Sequence, residues 1–203
     1  MFRPLSLILG LFVVTGFLTG CASDPILAAK QDLCWFTPKG ENLNNNAIVS
    51  GKIIVVYRSG NYEKGKYGEC DLDGYSTSNR LIEKSESNYF PEELYAKSPE
   101  EIDTLIMIEN KKGRALDPRT VRQSISRQSD VDVFSGITEI SLIDHKTGMV
   151  LRKTSHENTV IPKSVSEDRL KLNPAMRYEY VVEPSVNDLR SYLREVSDKV
   201  KPA

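Results

Sequence analysis

The side chains of this chain that could do acid–base or metal chemistry gather around its two histidines. His145 follows Asp144, and His156 precedes Glu157. A histidine beside a carboxylate can act as a general base, because the carboxylate orients the imidazole and stabilises its charged form. The same groups could hold a metal ion, although no H-x-x-x-H spacing supports one. One hypothesis is therefore a hydrolase or metal-dependent enzyme that uses His145 or His156 with a nearby carboxylate.

Other sequence motifs that define common enzymes are missing. The chain contains no G-x-S-x-G turn, no P-loop of the form G-x-x-x-x-G-K-[ST] and no glycine-rich dinucleotide turn. Its 27 Lys and Arg residues nearly balance 28 Asp and Glu residues, whereas nucleic-acid-binding domains are usually strongly basic. We therefore predict no catalytic residues, no cofactor, no metal and no nucleic-acid partner, and we favour a non-catalytic binding or structural module.

One local basic cluster could form an anion site. Its members are Arg114, Arg119, Arg122 and Arg127. Arginine side chains grip phosphate and carboxylate groups with two parallel hydrogen bonds. The alternative is a solvated surface balanced by Asp130 and Asp132, and we favour it because charged surface segments are common.

The first residues have the composition of a secretory signal. Arg3 supplies a positive charge, an apolar run covers residues 5–18, and Leu18-Thr19-Gly20-Cys21 ends the segment. This order of charge, apolar stretch and small residues is typical of a signal peptide that is removed on export. A helix that crosses a bilayer needs about 20 apolar residues, and the run 5–18 is shorter than that.

Leu18-Thr19-Gly20-Cys21 resembles the lipobox of bacterial lipoproteins, and the resemblance covers only the signal and Cys21. It implies that residues 1–20 are cleaved, that the Cys21 thiol receives a diacylglycerol and that the new amino terminus is acylated, with palmitate as a typical chain. Several acyl chains anchor a protein stably, at about 0.8 kcal/mol per buried CH₂. Because Ala22 rather than aspartate follows the cysteine, the resemblance favours the outer membrane, on its periplasmic side.

The two remaining cysteines, Cys34 and Cys70, most simply pair with each other in an exported chain. A disulfide of that loop length could stabilise the fold by about 4 kcal/mol in the chain-entropy treatment. The alternative is a reactive thiol or a metal site, which the absence of C-x-x-C disfavours. A bridged Cys34 would hold Trp35 and Phe36 against the domain; otherwise these two aromatic side chains could mark a partner surface.

The rest of the chain predicts a tether over 21–33 and a single α+β domain over 34–203. Apolar runs and alternating patterns predict strands at 53–57, 104–108, 137–143 and 149–154 in a mainly antiparallel or mixed sheet. The run 53–57 is continuously apolar, which is typical of a strand buried on both faces. Residues 144–148 read as a five-residue hairpin loop, residues 178–182 as a short strand, and 61–88 remains an unassigned loop.

An amphipathic helix over 185–200 is predicted to pack across this sheet. Ser185 and Asp188 have nearly the spacing of a capping box, and apolar residues then recur at helical intervals up to Val200. With the signal, these features describe a lipid-anchored module of the bacterial envelope that could have an envelope protein as its partner.

Overall fold

A computed structural model describes residues 24–59, 69–72, 89–116, 131–161, 171–172 and 178–201. Cys21 and the signal segment lie outside the described residues, as do Arg119, Arg122 and Arg127 and most of the stretch 61–88.

The described chain forms a single eight-stranded sheet with short helices before and after it. The strands are β1 (Gly40–Glu41), β2 (Lys52–Ser59), β3 (Glu69–Leu72), β4 (Ile102–Leu116), β5 (Val131–Asp144), β6 (Met149–Asn158), β7 (Lys171–Leu172) and β8 (Tyr178–Val181). The helices are α1 (Pro25–Ala28), α2 (Lys30–Cys34) and α3 (Val186–Leu193), and Glu92–Leu94 and Pro99–Glu101 form 3₁₀ turns.

The sheet is mixed, so the predicted α+β class and sheet type are confirmed. Its main path runs β1-β6-β5-β4-β2-β3, and β8 pairs with β5 and β7. Neighbours pair antiparallel except in β1/β6, β2/β4 and β5/β8, which are parallel. All four strands predicted for the sheet are present, and β4 and β5 extend well beyond their predicted ends. The predicted strand near residue 180 is also present, as β8.

Each face of the sheet carries an apolar cluster, and β2 contributes to both. Alternate residues of a strand point to opposite faces. Ile53, Val55 and Tyr57 therefore join one apolar cluster, whereas Ile54 and Val56 join the other. All five side chains are buried, which confirms the prediction for 53–57. We call these surfaces the α3 face and the α1–α2 face, after the helices that pack on them.

Helix α3 begins at the predicted cap but ends earlier than predicted. Ser185 Oγ accepts a hydrogen bond from the Asp188 amide at 3.2 Å, and the Asp188 carboxylate accepts one from the Ser185 amide. The helix stops at Leu193, so the predicted extent to residue 200 is wrong. The Val196 carbonyl accepts a bond from the Val49 amide rather than from a later helical residue. Val196 and Val200 are nevertheless buried on the α3 face.

The hairpin between β5 and β6 has a shorter loop than predicted. Asp144 pairs with Met149, so four residues rather than five, 145–148, form the turn. Gly148 closes it with a φ of 76°, a conformation that residues with a Cβ rarely adopt. Asp144 Oδ1 accepts a hydrogen bond from the Thr147 amide at 2.9 Å, which stabilises the turn.

The amino-terminal segment is folded over most of the range predicted as a tether. Asp24 caps α1, and Ile26 and Leu33 are buried in the cluster on the α1–α2 face. Part of the unassigned stretch 61–88 also belongs to the sheet, because Glu69–Leu72 forms the edge strand β3. The folded chain therefore begins close to Cys21.

Candidate functional site

His156 lies on β6 and contacts the region where α3 ends. Its ring stacks on that of Tyr192, with 3.9 Å between centroids and 3° between planes. Its Nε2 lies 3.0 Å from Glu195 Oε1. Thr154, on the same face of β6, has its Oγ1 3.2 Å from His156 Nε2 and 3.0 Å from Glu195 Oε2. The carboxylate beside His156 is therefore Glu195, whereas Glu157 is on the other side of the strand.

The geometry of this cluster differs from that of a hydrolytic triad. In a triad the imidazole uses one nitrogen for the nucleophile and the other for the carboxylate. Here a single nitrogen of His156 faces both Thr154 and Glu195. Burial raises the pKa of Tyr192, and the charges of Asp188 and Glu195 raise it further, so its phenol stays protonated at neutral pH. These contacts hold the end of α3 against β6.

His145 has a different environment, in the turn after β5. Its ring centroid is 5.9 Å from that of Phe36. The neighbouring Asp144 is engaged in the turn, and the backbone hydrogen bond from Thr147 lowers its pKa. His156 lies seven residues along β6 from Met149 at the turn, a distance of roughly 23 Å, so the two histidines do not meet. Among the described residues, no three His, Cys, Asp or Glu side chains converge on a possible metal position.

The predicted disulfide is present and joins α2 to the edge strand β3. Cys34 and Cys70 are bonded, with their Cα atoms 6.0 Å apart. Next to it, Lys30 Nζ lies 2.8 Å from Asp71 Oδ1, and Asp71 is almost completely buried. Phe36 packs against the same apolar cluster, which confirms that it is held against the domain. These contacts fix the amino-terminal segment to the sheet.

Beyond these helices, the α1–α2 face carries a row of charges across four strands. Its members alternate in sign from β2 to β6, and we call them the charge ladder: Arg58, Glu109, Lys111, Glu139 and Lys153. Glu109 and Glu139 are paired directly across β4 and β5, so their repulsion would be unfavourable without a cation between them. Lys111 bonds Glu139 and lies 3.5 Å from Glu109, which places it between the two carboxylates.

The ladder perturbs the pKa values of its members. Burial alone would lower the pKa of Lys111, but the hydrogen bond to Glu139 and the charges of both glutamates outweigh it and raise that pKa. Burial would likewise raise the pKa of Glu139, but hydrogen bonds from Lys111 and Lys153 outweigh it, and the pKa falls. Both groups therefore stay charged throughout the neutral range. The ladder is a stable feature of this surface.

A groove lies where the ladder meets the segment after α2. It is an open cavity of about 470 Å³ between residues 36–41 and the sheet. Apolar side chains of Phe36, Met107 and Val150 line part of it, and the ladder residues Arg58 and Lys153 line another part. Arg58 is only 7% exposed and donates from Nη2 to the Phe36 carbonyl at 2.6 Å. Arg58 thus ties this segment to the sheet at the boundary between apolar and charged surface.

Only one arginine of the predicted basic cluster, Arg114, is within the described residues. Its Nε lies 3.0 Å from Glu157 Oε1, and both side chains are largely exposed. This contact is of the surface type that we favoured from the sequence.

Comparison with protein-family models, with curated proteins and with solved structures finds no match to this chain. In the part of the chain that the structure describes, every helix is too short or too polar to cross a membrane.

The sequence indicated the disulfide but not the ladder, the groove or Glu195 as the partner of His156. Alternation along a strand does place Glu109 with Lys111 on one face. Which residues lie opposite them depends on strand order and register, however, and a single strand does not encode either. Glu195 reaches His156 only because α3 crosses the sheet at a particular point.

Proposed function

We propose that this protein is a lipid-anchored, non-catalytic module of the bacterial envelope, held by an acylated Cys21 in the periplasmic leaflet of the outer membrane. The observation that carries the proposal is a lipobox cysteine three positions before Asp24, where a disulfide-bonded domain begins. Two independent features therefore agree. The signal directs export, and a disulfide between Cys34 and Cys70 persists in an oxidising compartment but is rare in the cytosol.

The groove on the α1–α2 face is the surface that we assign to a protein partner. Its lining combines apolar side chains, including Met107 and Val150, with charged side chains, including Lys39 and Glu41. Protein ligands present the same mixture of apolar and charged groups. The ladder residues are paired among themselves, so a bound polypeptide need not supply partners for them.

The experiment is to express the full chain and its Cys21→Ser variant in bacteria supplied with labelled palmitate. The wild-type protein is expected in the membrane fraction with label, and Cys21→Ser is expected in the soluble periplasmic fraction without it. Ser23→Ala, two positions away, is the matched control and should behave as the wild type. A Cys21→Ser protein that stays in the membrane fraction would contradict the anchor.

The second candidate is an envelope hydrolase that would use His156 and Glu195, whose Nε2 and Oε1 atoms lie 3.0 Å apart, in an arrangement other than the triad. If this pair were catalytic, His156→Ala and Glu195→Gln should each abolish the cellular function while the protein stays folded and anchored. If the domain is a binding module, these variants should lose stability and keep function once they are folded. His145 packs on Phe36 and not on Glu195, so His145→Ala shows whether a loss of function is specific to His156.

A further inference from the structure

The amino-terminal helices are rigidly attached to the domain from their first residue. Asp24 Oδ1 accepts a hydrogen bond from the Ile26 amide at 2.9 Å and so caps α1. The Ile26 side chain is fully buried on the α1–α2 face. The disulfide at Cys34 and the ion pair from Lys30 to Asp71 then hold α2 against β3. Asp24 and the rest of the domain therefore move together.

The chain between the anchor and this rigid segment is shorter than the domain is wide. Asp24 follows Cys21 by three positions, so their Cα atoms can be at most about 11 Å apart. A domain of about 180 residues has a radius of gyration of about 16 Å. A tether shorter than the domain radius prevents the domain from turning its opposite side to the membrane.

We infer that the lipid bilayer is itself a binding partner of this domain, and that α1 is the surface that lies on the leaflet. This inference rests on the proposed acylation of Cys21. It goes further because it fixes the orientation of the domain, which acylation alone leaves open.

The chemistry of α1 fits the boundary between lipid headgroups and acyl chains. Residues 25–29 carry no charged side chain, and Leu27 is one of the large apolar residues with notable exposure, at 37%. Lys30, the first cation after α1 in the sequence, is engaged with Asp71, and the exposed Asp24 before α1 is acidic. Among the described residues 24–30, this surface therefore offers apolar contact and no unpaired positive charge for anionic lipids. The tether, rather than electrostatic attraction, brings it to the membrane.

The far end of β6 is remote from the apolar cluster on which α1 packs. Val150 belongs to the apolar cluster that contains Ile26, and Asn158 lies eight residues further along β6, at roughly 26 Å. Val160, just beyond Asn158, is 75% exposed. Leu27 and Val160 are thus two exposed apolar positions, one beside the anchor and one remote from it.

The test uses the lipidated full-length protein, purified from bacterial membranes and inserted into phosphatidylcholine vesicles that carry nitroxide on some headgroups. Trp35 is the only tryptophan of the chain, so Trp35→Phe gives a background without tryptophan fluorescence. Leu27→Trp in that background is the near reporter, and Val160→Trp is the matched distant control. The near reporter lies within about 16 Å of the Cys21 Cα atom and should lose roughly half of its emission to the nitroxide, whereas the distant one should lose little.

A third variant carries twelve Gly and Ser residues inserted after Ser23. Such a linker has a root-mean-square length of roughly 19 Å, so it frees the domain to rotate, and the emission of the two reporters should become similar. Equal quenching without the insertion, in vesicles that still float with bound protein, would overturn the orientation and leave the anchor intact. Protein that fails to float would overturn the proposed anchoring. Quenching that appears only with anionic lipid and disappears at high salt would also overturn the inference.

Discussion

The two faces of the sheet are closed in different ways. On the α3 face, Leu189, Leu193, Val196 and Val200 from the end of the chain pack on apolar strand residues. On the α1–α2 face, two helices of four and five residues cover only part of the sheet and are held by a disulfide and an ion pair. The rest of that face carries the charge ladder and the groove.

The difference follows from how much apolar surface each element can bury. Helix α3 has a capping box and buries Leu189 and Leu193, and the residues after it bury Val196 and Val200, so apolar burial attaches this segment. Helices as short as α1 and α2 are not stable in isolation, so their position depends on tertiary contacts and on the disulfide. The face that relies on a covalent bond is also the face that carries the groove, and α1, which our proposal places on the leaflet, packs on this face.

The largest effect is expected on the α3 face. Leu193→Ala removes a completely buried side chain and should lower the free energy of unfolding by about 2–5 kcal/mol, because a cavity remains in the cluster. Chemical denaturation measures the loss. Ser191→Ala, on the exposed side of the same helix, is the control and should change little. A Leu193→Ala protein as stable as the control would show that α3 does not close this face.

The second effect tests the α1–α2 face. Replacing both Cys34 and Cys70 with alanine should lower the free energy of unfolding by about 2–4 kcal/mol, because their disulfide closes a long loop in the unfolded chain. Hydrogen exchange should become faster first at residues 26–34, whereas the amides of α3 should keep most of their protection. Equal loss of protection on both faces would contradict the idea that the disulfide acts mainly on this face.

A smaller effect is expected where the ladder meets the groove. Arg58→Ala leaves the Phe36 carbonyl without its charged donor and removes one of the two cations near Glu109. We expect a loss of about 1–3 kcal/mol. Arg114→Ala breaks an exposed pair with Glu157 and should lower the free energy of unfolding much less, because solvent screens exposed ion pairs. If the two variants lost similar amounts of unfolding free energy, the buried contacts of Arg58 would be no stronger than the exposed pair of Arg114.

The smallest effect is expected in how the stability contributed by the charge ladder changes with pH. The folded pKa of Glu139 is lowered, so its contribution is present above its unfolded pKa and is lost as the pH falls through the folded value. Glu139→Gln should therefore be less stable than the wild type at pH 7, and the difference should shrink on acidification. Thermal melts from pH 7 to pH 3 measure it, with the exposed Glu93→Gln as control. A constant difference over this range would mean that the charge of Glu139 is not involved.

Local patterns predicted the parts of the fold that depend on neighbours in sequence. The alternation and apolar runs identified the four strands, and Ser185 with Asp188 identified the start of α3. The predicted end of α3 was wrong. After Leu193 the chain tightens into a turn in which the Val196 amide bonds to the Leu193 carbonyl, and the Val196 carbonyl then bonds to Val49, a partner almost 150 residues away that no helical pattern can reveal.

The candidate site was less predictable, for the same physical reason. Cys34 and Cys70 could be paired from the compartment and the number of cysteines. Glu109 and Glu139 form part of a ladder only because β4 and β5 adopt one register, which depends on the whole sheet. His156 meets Glu195 only after α3 has docked. Sites made from distant strands and helices need the fold before they can be recognised.

The most direct measurement is mass spectrometry of the amino-terminal peptide of the mature protein, isolated from bacterial membranes without reduction. Our account predicts a chain that begins at Cys21, carries a diacylglycerol and an amide-linked acyl chain, and retains the bond between Cys34 and Cys70. A mature chain that begins at another residue, or an unmodified Cys21, would contradict the proposal that this domain is held directly on the membrane.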